Sequence, residues 1–257
     1  MPSRQRRAQA HGLARAVDAP TQAAMDFANQ VVIVTGAGGN LGAAIARELA
    51  ARGARLVLAD QSAEALARTT DNLGGDQFLA LSGVDLRQEA DARSIVDDAV
   101  ARFGRIDALA NTIGTFAMGR IEEDAAAHWH MLMDLNALSA LLISKAALPP
   151  MRAAGYGRLL HVAAGAALKG GAGMSAYSAS KAALMRVCES LSEETRSSGI
   201  TTNCILPSTI DTPQNRAAMP GADTSAWVKP ADIAKVAAFL LSTAAGAVTG
   251  AAIPVTR

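Results

Sequence analysis

The feature that most constrains the fold of this chain is a wholly apolar run that leads through a glycine-rich turn into a helical pattern. Residues 31–34 are all Val or Ile, which is typical of a strand buried on both faces of a parallel sheet. The turn, residues 35–42, contains four glycines. Beyond it, apolar side chains from Leu41 to Leu49 recur on one helical face, and Gly53 stands where a helix C-cap is expected. The pattern predicts a strand, a tight turn and a helix.

This alternation of strand and helix patterns continues along the chain. A second apolar run, residues 55–59, ends at Asp60. Further strands are predicted near residues 77–82, 106–110, 158–163, 201–206 and 251–255, and helices near 62–72, 88–103, 124–148, 175–198 and 231–242. Such spacing forms βαβ units with right-handed crossovers. The predicted fold class is α/β: a single-domain, Rossmann-type, doubly wound parallel sheet of about seven strands with helices on both faces. Pro254 suits an edge strand.

The composition favours one domain with a short extension. The chain has 257 residues and 50% apolar composition, and no shift in composition or internal repeat marks a second domain. We predict that residues 25–257 form the domain and that residues 1–24 are a disordered or additional N-terminal extension. This extension is rich in Arg and has no apolar stretch, so an organelle transit peptide is the alternative.

Charge, aromatic content and cysteine spacing exclude several classes of function. The net charge is +1 and aromatic residues make up 4% of the chain, which argues against nucleic acid as a partner. No apolar run reaches the ~20 residues of a membrane span. Cys188 and Cys204 lack metal-ligand spacing, so we predict two small core residues, no metal and a reducing, cytoplasmic location.

The glycine-rich turn predicts a dinucleotide site. Glycines let backbone N–H groups approach a pyrophosphate, and the following helix N-terminus favours its negative charge. Asp60 ends the second strand, where an acid accepts hydrogen bonds from the adenosine ribose and repels a 2′-phosphate. We therefore predict NAD(H) in preference to NADP(H). The alternatives are a tight turn without a ligand and an ordinary acid at a helix start.

A second motif predicts proton-transfer chemistry. Tyr177 and Lys181 are four residues apart, so they share one face of a predicted helix. A lysine ammonium beside a phenol lowers the pKa of the phenol and makes it a better general acid–base. A solvated Lys beside a packed Tyr is the alternative. The position of the pair after the fifth strand favours catalysis.

Together these motifs resemble the short-chain dehydrogenase/reductase family over residues 28–255. Residues 35–42 resemble its TGxxxGxG turn, 107–114 its DxLxNNAG strand and 207–213 its PGxIxTP loop. The resemblance implies three catalytic residues: Tyr177, Lys181, which also holds the nicotinamide ribose, and Asn136, which supports a proton-relay water. It implies a cofactor site formed by Thr35, Gly36, Gly38, Asn40, Leu41, Gly42, Asp60, Asp85, Leu86, Asn111, Thr112, Gly114, Tyr177, Lys181, Pro207, Thr209, Ile210 and Thr212. Within it, Asp85 lies near the adenine.

Four positions depart from the family pattern. Asn40 replaces the middle glycine of the turn, Thr112 the second Asn of NNAG, and Ser208 the Gly of the loop. The fourth is Ala164, thirteen positions before Tyr177, where the family has a Ser that polarises the substrate carbonyl. Loss of one such donor costs ~10²–10³ in rate.

His161 lies on the same predicted strand as Ala164. Because it precedes Ala164 by three residues, its side chain is expected on the opposite face, in the core or against a helix.

Three functions remain open at this stage. The first is hydride transfer between a nicotinamide and a small carbonyl or alcohol. The second is reduction of a quinonoid pterin, because residues 163–230 resemble dihydropteridine reductase, which also lacks the Ser. The third is a weakly catalytic NAD-binding sensor or assembly protein.

Two further expectations concern assembly and access to the site. The helices predicted at 124–148 and 175–198 resemble the pair that builds the family's dimers and tetramers, so a homotetramer is expected. Residues 214–228 are expected to cover the mouth of the site. Met219 and Trp227 are the large apolar residues of that segment, which predicts an open mouth.

Overall fold

A computed structural model describes residues 27–71, 73–74 and 77–257. The predicted extension at residues 1–24 lies outside this part of the chain. The strands are β1 (Val31–Thr35), β2 (Arg55–Asp60), β3 (Phe78–Ser82), β4 (Ala108–Asn111), β5 (Gly157–Val162), β6 (Ile200–Pro207) and β7 (Ala252–Val255). They form one parallel sheet in the order β3-β2-β1-β4-β5-β6-β7. The predicted fold class is confirmed, and Pro254 lies in an edge strand as expected.

Helices cover both faces of this sheet. They are α1 (Asn40–Ala51), α2 (Ala63–Thr70), α3 (Glu89–Phe103), α4 (Ala125–Met133), α5 (Ser139–Ala154), α6 (Ser175–Glu194), α7 (Pro213–Ala218) and α8 (Pro230–Leu241). Alternate side chains of β1 divide between two cores. Val32 and Val34 pack with α1 and α8, whereas Val31 and Ile33 pack with α3 and α5.

A third core cluster lies between α6 and β6. It contains Cys188 and Cys204, which are buried free thiols. Both cysteines therefore occupy the core positions that the sequence predicted for them.

The helix predicted at 124–148 is present, but it contains an irregular turn and ends later than predicted. It consists of α4, a π-helical turn at Asp134–Leu138, and α5, which continues through Pro149 and Pro150. Proline normally ends a helix because it lacks the N–H donor. Here the buried side chains of Ala147 and Met151 pack into the core beneath α3, and this burial offsets the missing hydrogen bonds.

The predicted end of α6 also differs, because that helix stops at Glu194 rather than at residue 198. The Thr195 hydroxyl donates back to the Leu191 carbonyl at 2.7 Å. Gly199 then has a φ of +69°. These features turn the chain into β6.

The continuous helical segment Ala125–Ala154 is long and apolar enough to cross a membrane by length and composition, with a mean hydropathy of 1.4. Short runs of apolar residues did not reveal this segment, because small and polar residues interrupt them. It packs against α3 and α6, and 44% of its most apolar window is buried within the fold. Such a helix also occurs in the core of a water-soluble domain.

Candidate active site

The topology fixes where a ligand site can form. The chain leaves β1 towards β2 on one side, and β4 lies on the other side of β1. This reversal opens a crevice beyond the carboxyl ends of β1 and β4, where open α/β sheets bind their ligands. Thr35 and Asn111 are paired at those two ends. The glycine-rich turn follows β1 directly at this crevice.

The turn is tight because three of its glycines have no room for a side chain, among them Gly38, where a Cβ would lie 2.6 Å from Ala65 Cβ. Gly36 has a φ of +69°, and a Cβ there would lie 2.7 Å from Thr112 Oγ1. A Cβ at Gly42 would collide with the Gly36 carbonyl oxygen. The N-terminus of α1 is thereby held close to the end of β1. This is the cradle that a pyrophosphate requires, so the turn fits the predicted cofactor.

Asp60 is fixed beside the same turn at the end of β2. Its Oδ2 accepts a hydrogen bond from the Gly38 amide at 2.9 Å, and its Oδ1 accepts one from the Ser62 amide at 2.9 Å. The carboxylate is partly exposed. Held by two backbone donors, it has free lone pairs for the hydroxyls of a ribose.

Thr35 and Asn111 support the crevice from below. The Thr35 hydroxyl donates to Asn111 Oδ1 at 2.6 Å, and the Thr112 hydroxyl donates to the Thr35 carbonyl at 2.7 Å. Thr35 and Asn111 are buried. Their side chains therefore stabilise the floor of the site, and Thr112 performs the same task although it departs from the family pattern.

His161 continues the hydrogen bonds of Thr35 and Asn111 towards α5. Its Nδ1 lies 3.3 Å from Asn111 Nδ2, and its Nε2 lies 3.1 Å from Ser144 Oγ. Because the Asn111 amide nitrogen is a donor, Nδ1 accepts and Nε2 carries the proton. Burial lowers the pKa of His161 to about 4. The histidine is thus a neutral core residue on the helix-facing side, where the sequence placed it.

The two predicted cofactor-site residues after β3, Asp85 and Leu86, differ in their exposure. Leu86 is buried in the core cluster under α3. Asp85 forms an ion pair with Arg87 at 2.7 Å, and the hydrogen bonds from Arg87 lower the pKa of Asp85. Sequence reasoning did not single out Arg87, because its pairing with Asp85 follows from a local turn that no periodic pattern reveals.

Asn136 lies in the π-helical turn and is fully buried. Its Nδ2 donates to the Thr115 carbonyl at 3.0 Å and to Ser180 Oγ at 2.9 Å, and its Oδ1 accepts from the Thr115 amide at 2.8 Å. π-helical turns occur frequently at functional sites because they redirect a side chain. Here the turn links the loop after β4 to α6.

Ser180 completes a link between Asn136 and Tyr177. Its hydroxyl accepts from Asn136 and donates to the Tyr177 carbonyl at 2.8 Å. Sequence reasoning missed Ser180. The available signal was its position three residues after Tyr177, from which a serine can bond back to a helix carbonyl.

The Tyr177–Lys181 pair has the predicted helix but not the predicted electrostatics. Lys181 is 4% exposed, and its Nζ donates to the Val162 carbonyl at 2.9 Å. Burial lowers the pKa of Lys181 to about 8, and burial raises the pKa of Tyr177. The expectation that Lys181 lowers the pKa of Tyr177 was wrong for the free protein. The ammonium is directed at the end of β5, and loss of water dominates at the phenol.

Gly114 lies between Asn136 and Lys181. A Cβ at this position would be 2.8 Å from Asn136 Oδ1 and 2.8 Å from Lys181 Nζ. The glycine therefore leaves the space that the amide oxygen of Asn136 and the ammonium of Lys181 occupy.

The position of the missing serine lies directly after β5. Ala164 has an extended backbone and precedes a 3₁₀ turn at Gly165–Ala167. Ser178, next to Tyr177 on α6, is buried, and its hydroxyl finds no partner among the described residues. That hydroxyl is enclosed and does not replace the missing donor.

The loop after β6 is ordered by its own contacts. A parallel bridge joins Ile210 to Val228, and the Asn215 side chain donates to the Ile210 carbonyl at 2.8 Å. The Thr212 hydroxyl caps α7 by accepting from the Asn215 amide. Trp227 is buried, so of the two large apolar residues predicted in this loop only Met219 is exposed.

The loop also touches the cofactor turn. Asn40 Nδ2 donates to Gln214 Oε1 at 2.7 Å. The residue that departs from the glycine pattern thus contacts α7 across the crevice. Ser208 is the remaining departure, and its hydroxyl is buried without a partner among the described residues.

Comparison with known proteins assigns the family. The family model for short chain dehydrogenases matches residues 30–222. The chain belongs to this family. It is therefore an NAD(P)-dependent oxidoreductase, and the nicotinamide-binding function predicted from the turn is confirmed at the level of the family.

Curated short-chain dehydrogenases match almost the whole chain. A 4-formylbenzenesulfonate dehydrogenase of Comamonas testosteroni is 32% identical over 90% of this chain and 98% of its own length. A cis-4-hydroxycyclohexanecarboxylate dehydrogenase of Sinomonas cyclohexanicum is 33% identical over 89% and 96%.

Solved structures of the family agree with this fold. A levodione reductase has a TM-score of 0.81 at 29% identity, covering 90% of this chain and 97% of its own. An NAD⁺-bound xylitol dehydrogenase has a TM-score of 0.82 at 27% identity, covering 90% and 98%.

Among the described residues, no group of three or more His, Cys, Asp or Glu side chains could hold a metal ion.

Proposed function

We propose that this short-chain dehydrogenase transfers hydride between NAD(H) and a small carbonyl or alcohol substrate, with Tyr177 as the general acid–base. The observation that supports it best is the hydrogen-bonded series from Asn136 through Ser180 to the backbone of Tyr177, with buried Lys181 on the same helix. These hydrogen bonds hold the backbone of Tyr177, and with it the proposed proton donor, in place. A protein that only bound the cofactor would not need it.

The cofactor is held by the turn and by residues at the strand ends. The backbone of Gly36 and Leu41 would bind the pyrophosphate, whereas the Gly38 amide holds Asp60, which would bind the adenosine ribose. The loop from Pro207 to Thr212 would bind the nicotinamide end. When bound, the nicotinamide supplies or accepts the hydride. NAD(H) is preferred because Asp60 would repel a 2′-phosphate at the place where two amides hold it.

The proton step belongs to Tyr177. Because burial raises its pKa, the phenol of the free protein is protonated at neutral pH and can donate to a carbonyl oxygen. Lys181, whose ammonium donates to the Val162 carbonyl, would hold the nicotinamide ribose, as the family resemblance implies. Asn136 holds the loop after β4 in place and would support a relay water.

Ala164 limits which substrates react well. An ordinary ketone gains ~10²–10³ in rate from a polarising hydroxyl, and none is present at this position. A conjugated ring such as a quinonoid dihydropterin depends less on that donor, so Ala164 favours it as a second candidate substrate. The third candidate, a weakly catalytic NAD-binding sensor or assembly protein, predicts cofactor binding without turnover.

The test is NADH oxidation with a panel of small ketones and with quinonoid dihydropterin. Tyr177→Phe should lower kcat by ~10²–10⁴, because the proton donor is lost. Tyr156→Phe is the matched control, since Tyr156 lies before β5 at the opposite end of that strand from Ala164. Ala164→Ser should raise the rate with ketones but not with the pterin.

The possible results separate the candidates. If the protein binds NADH but reduces neither the ketones nor the pterin, the proposal is contradicted and a sensor or assembly protein is favoured. Equal activity with NADPH and NADH would contradict the cofactor preference.

We also propose a cytoplasmic homotetramer. A groove of about 590 Å³ runs between α5 and α6. Its lining combines apolar side chains, among them Leu141, Leu148, Val187 and Leu191, with the charged residues Lys145, Arg152, Arg186 and Glu194. Leu141 is exposed in the single chain. A second copy seated on these helices would cover it. A monomeric mass by light scattering would exclude this assembly.

A further inference from the structure

An exposed aromatic ring is packed against the proposed proton donor. The rings of Phe116 and Tyr177 have centroids 4.8 Å apart and planes at 84°, which is an edge-to-face contact. Phe116 is nevertheless 56% exposed. More than half of this ring is thus open to solvent next to the phenol.

The loop that carries Phe116 is anchored on both sides of it. Before it, the amide and the carbonyl of Thr115 both bond to the side chain of buried Asn136. After it, the Gly119 amide donates to the Gly173 carbonyl at 2.9 Å, just before α6 begins. Phe116 is therefore held in position by the same residues that organise Tyr177.

A second exposed apolar side chain lies two residues after Phe116 in the same loop. Met118 is 55% exposed, and its Cε lies 3.3 Å from where a Cβ of Gly173 would be. Ala164, thirteen positions before Tyr177, carries a methyl group where the family has a hydroxyl. Exposed apolar side chains that are held in place beside a polar group mark a binding surface for an apolar ligand group.

We infer that Phe116 is a specificity-determining residue whose exposed ring receives a planar, apolar ring of the substrate beside Tyr177. Aromatic rings pack with centroids about 4.5–7 Å apart, so a ring on Phe116 lies one ring away from the phenol. A carbonyl attached to that ring would then reach the Tyr177 hydroxyl. The substrate class is an aryl carbonyl or the corresponding alcohol. This inference rests on the proposed function for its chemistry but not for its binding test.

The experiment compares two methyl ketones that differ only in the group beside the carbonyl: acetophenone, with an aryl ring, and butanone, without one. Binding is followed in the complex with oxidised cofactor, where no reduction occurs, by ¹³C NMR of labelled tyrosine. The chain has two tyrosines, so the Tyr177 signal is assigned with Tyr177→Phe. NADH oxidation is measured in parallel.

Two variants and one control test the role of the ring. Phe116→Ala and Phe116→Leu should each lower the ratio of acetophenone to butanone, in binding and in kcat/KM, by about tenfold, since both remove the aromatic contact that only acetophenone uses. Ile121→Ala removes another exposed apolar side chain from the segment after β4. It should change neither the binding nor the kcat/KM of either ketone.

The outcomes separate this inference from the proposed function. Equal loss for both ketones in the Phe116 variants, or no acetophenone binding to the wild-type complex, would overturn the inference. Acetophenone binding that depends on Phe116, without NADH oxidation, would support the inference and contradict the proposed function. Reduction of both ketones independently of Phe116 would support the proposed function and contradict the inference.

Discussion

The side chain of Asn40 in the cofactor turn donates a hydrogen bond of 2.7 Å to the side chain of Gln214 at the start of α7. The two residues are 174 positions apart in the sequence. Their contact joins the turn that would hold the pyrophosphate to the loop that would cover the mouth of the site. Loop and turn therefore move together for as long as this bond persists.

Gln214→Leu should loosen the cofactor without unfolding the protein. An exposed hydrogen bond contributes about 0.5–1.5 kcal/mol, so the Kd for NADH should rise roughly two- to tenfold. The measurement is NADH fluorescence titration, with thermal unfolding as the check on stability. Asn40→Gly should give the same change in Kd. An unchanged Kd in both variants would show that the bond does not retain the cofactor.

Gly114→Ala should abolish most activity. The added methyl would lie 2.8 Å from Asn136 Oδ1 and from Lys181 Nζ, so one of these groups must move. We expect kcat to fall by at least ~10² and the free energy of unfolding to fall by about 1–3 kcal/mol. Gly170→Ala is the matched control, because a Cβ there meets nothing within 4 Å. Normal kcat in Gly114→Ala would contradict the arrangement of the site.

Lys181 should make the free protein more stable as the pH rises above 8. Its pKa in the fold is about 8, below the ordinary value of 10.5, so between these values the unfolded chain binds one proton more than the folded protein. Stability then increases with pH, by about 3 kcal/mol at most. Chemical denaturation between pH 7.5 and 9.5 measures the slope. The stability of Lys181→Met should not depend on pH in this window. An equal slope of stability against pH in both proteins would contradict the burial of the Lys181 charge.

His161 should produce a slope of the same sign at lower pH. Its folded pKa is about 4 and its ordinary value 6.5, so the unfolded chain binds the extra proton between these values. Stability is therefore lost as the pH falls from 6.5 towards 4. His161→Asn keeps a hydrogen-bonding side chain between Asn111 and Ser144 and removes the titratable imidazole. Denaturation curves at pH 6.5 and 4.5 should differ less for this variant than for the wild type.

Local sequence signals predicted the scaffold of the site well. The apolar run at 31–34, the glycines of the turn and Asp60 at the end of β2 are all determined by neighbours along the chain. The same holds for the shared helix face of Tyr177 and Lys181. Alternating strands and helices then left one topology for the sheet.

What the sequence did not reveal depends on contacts between distant segments. The π-helical turn around Asn136 forms between helices that pack against different partners. The spacing of Tyr177 and Lys181 predicted a common helix face but not the Val162 carbonyl that accepts a hydrogen bond from the Lys181 ammonium. Phe116 lies in a loop without periodicity, and its contact with Tyr177 exists only because Asn136 and Gly173 anchor that loop.

The burial of Trp227 has an optical consequence. The indole is enclosed next to Val228, which bridges to Ile210 in the loop that would bind the nicotinamide end of the cofactor. Indole emission overlaps the absorption of reduced nicotinamide, and energy transfer falls steeply with distance. Trp227, one of two tryptophans in the chain, would therefore serve as an internal donor fluorophore beside the proposed cofactor site. Quenching of this emission would distinguish the reduced from the oxidised complex in a single unlabelled sample.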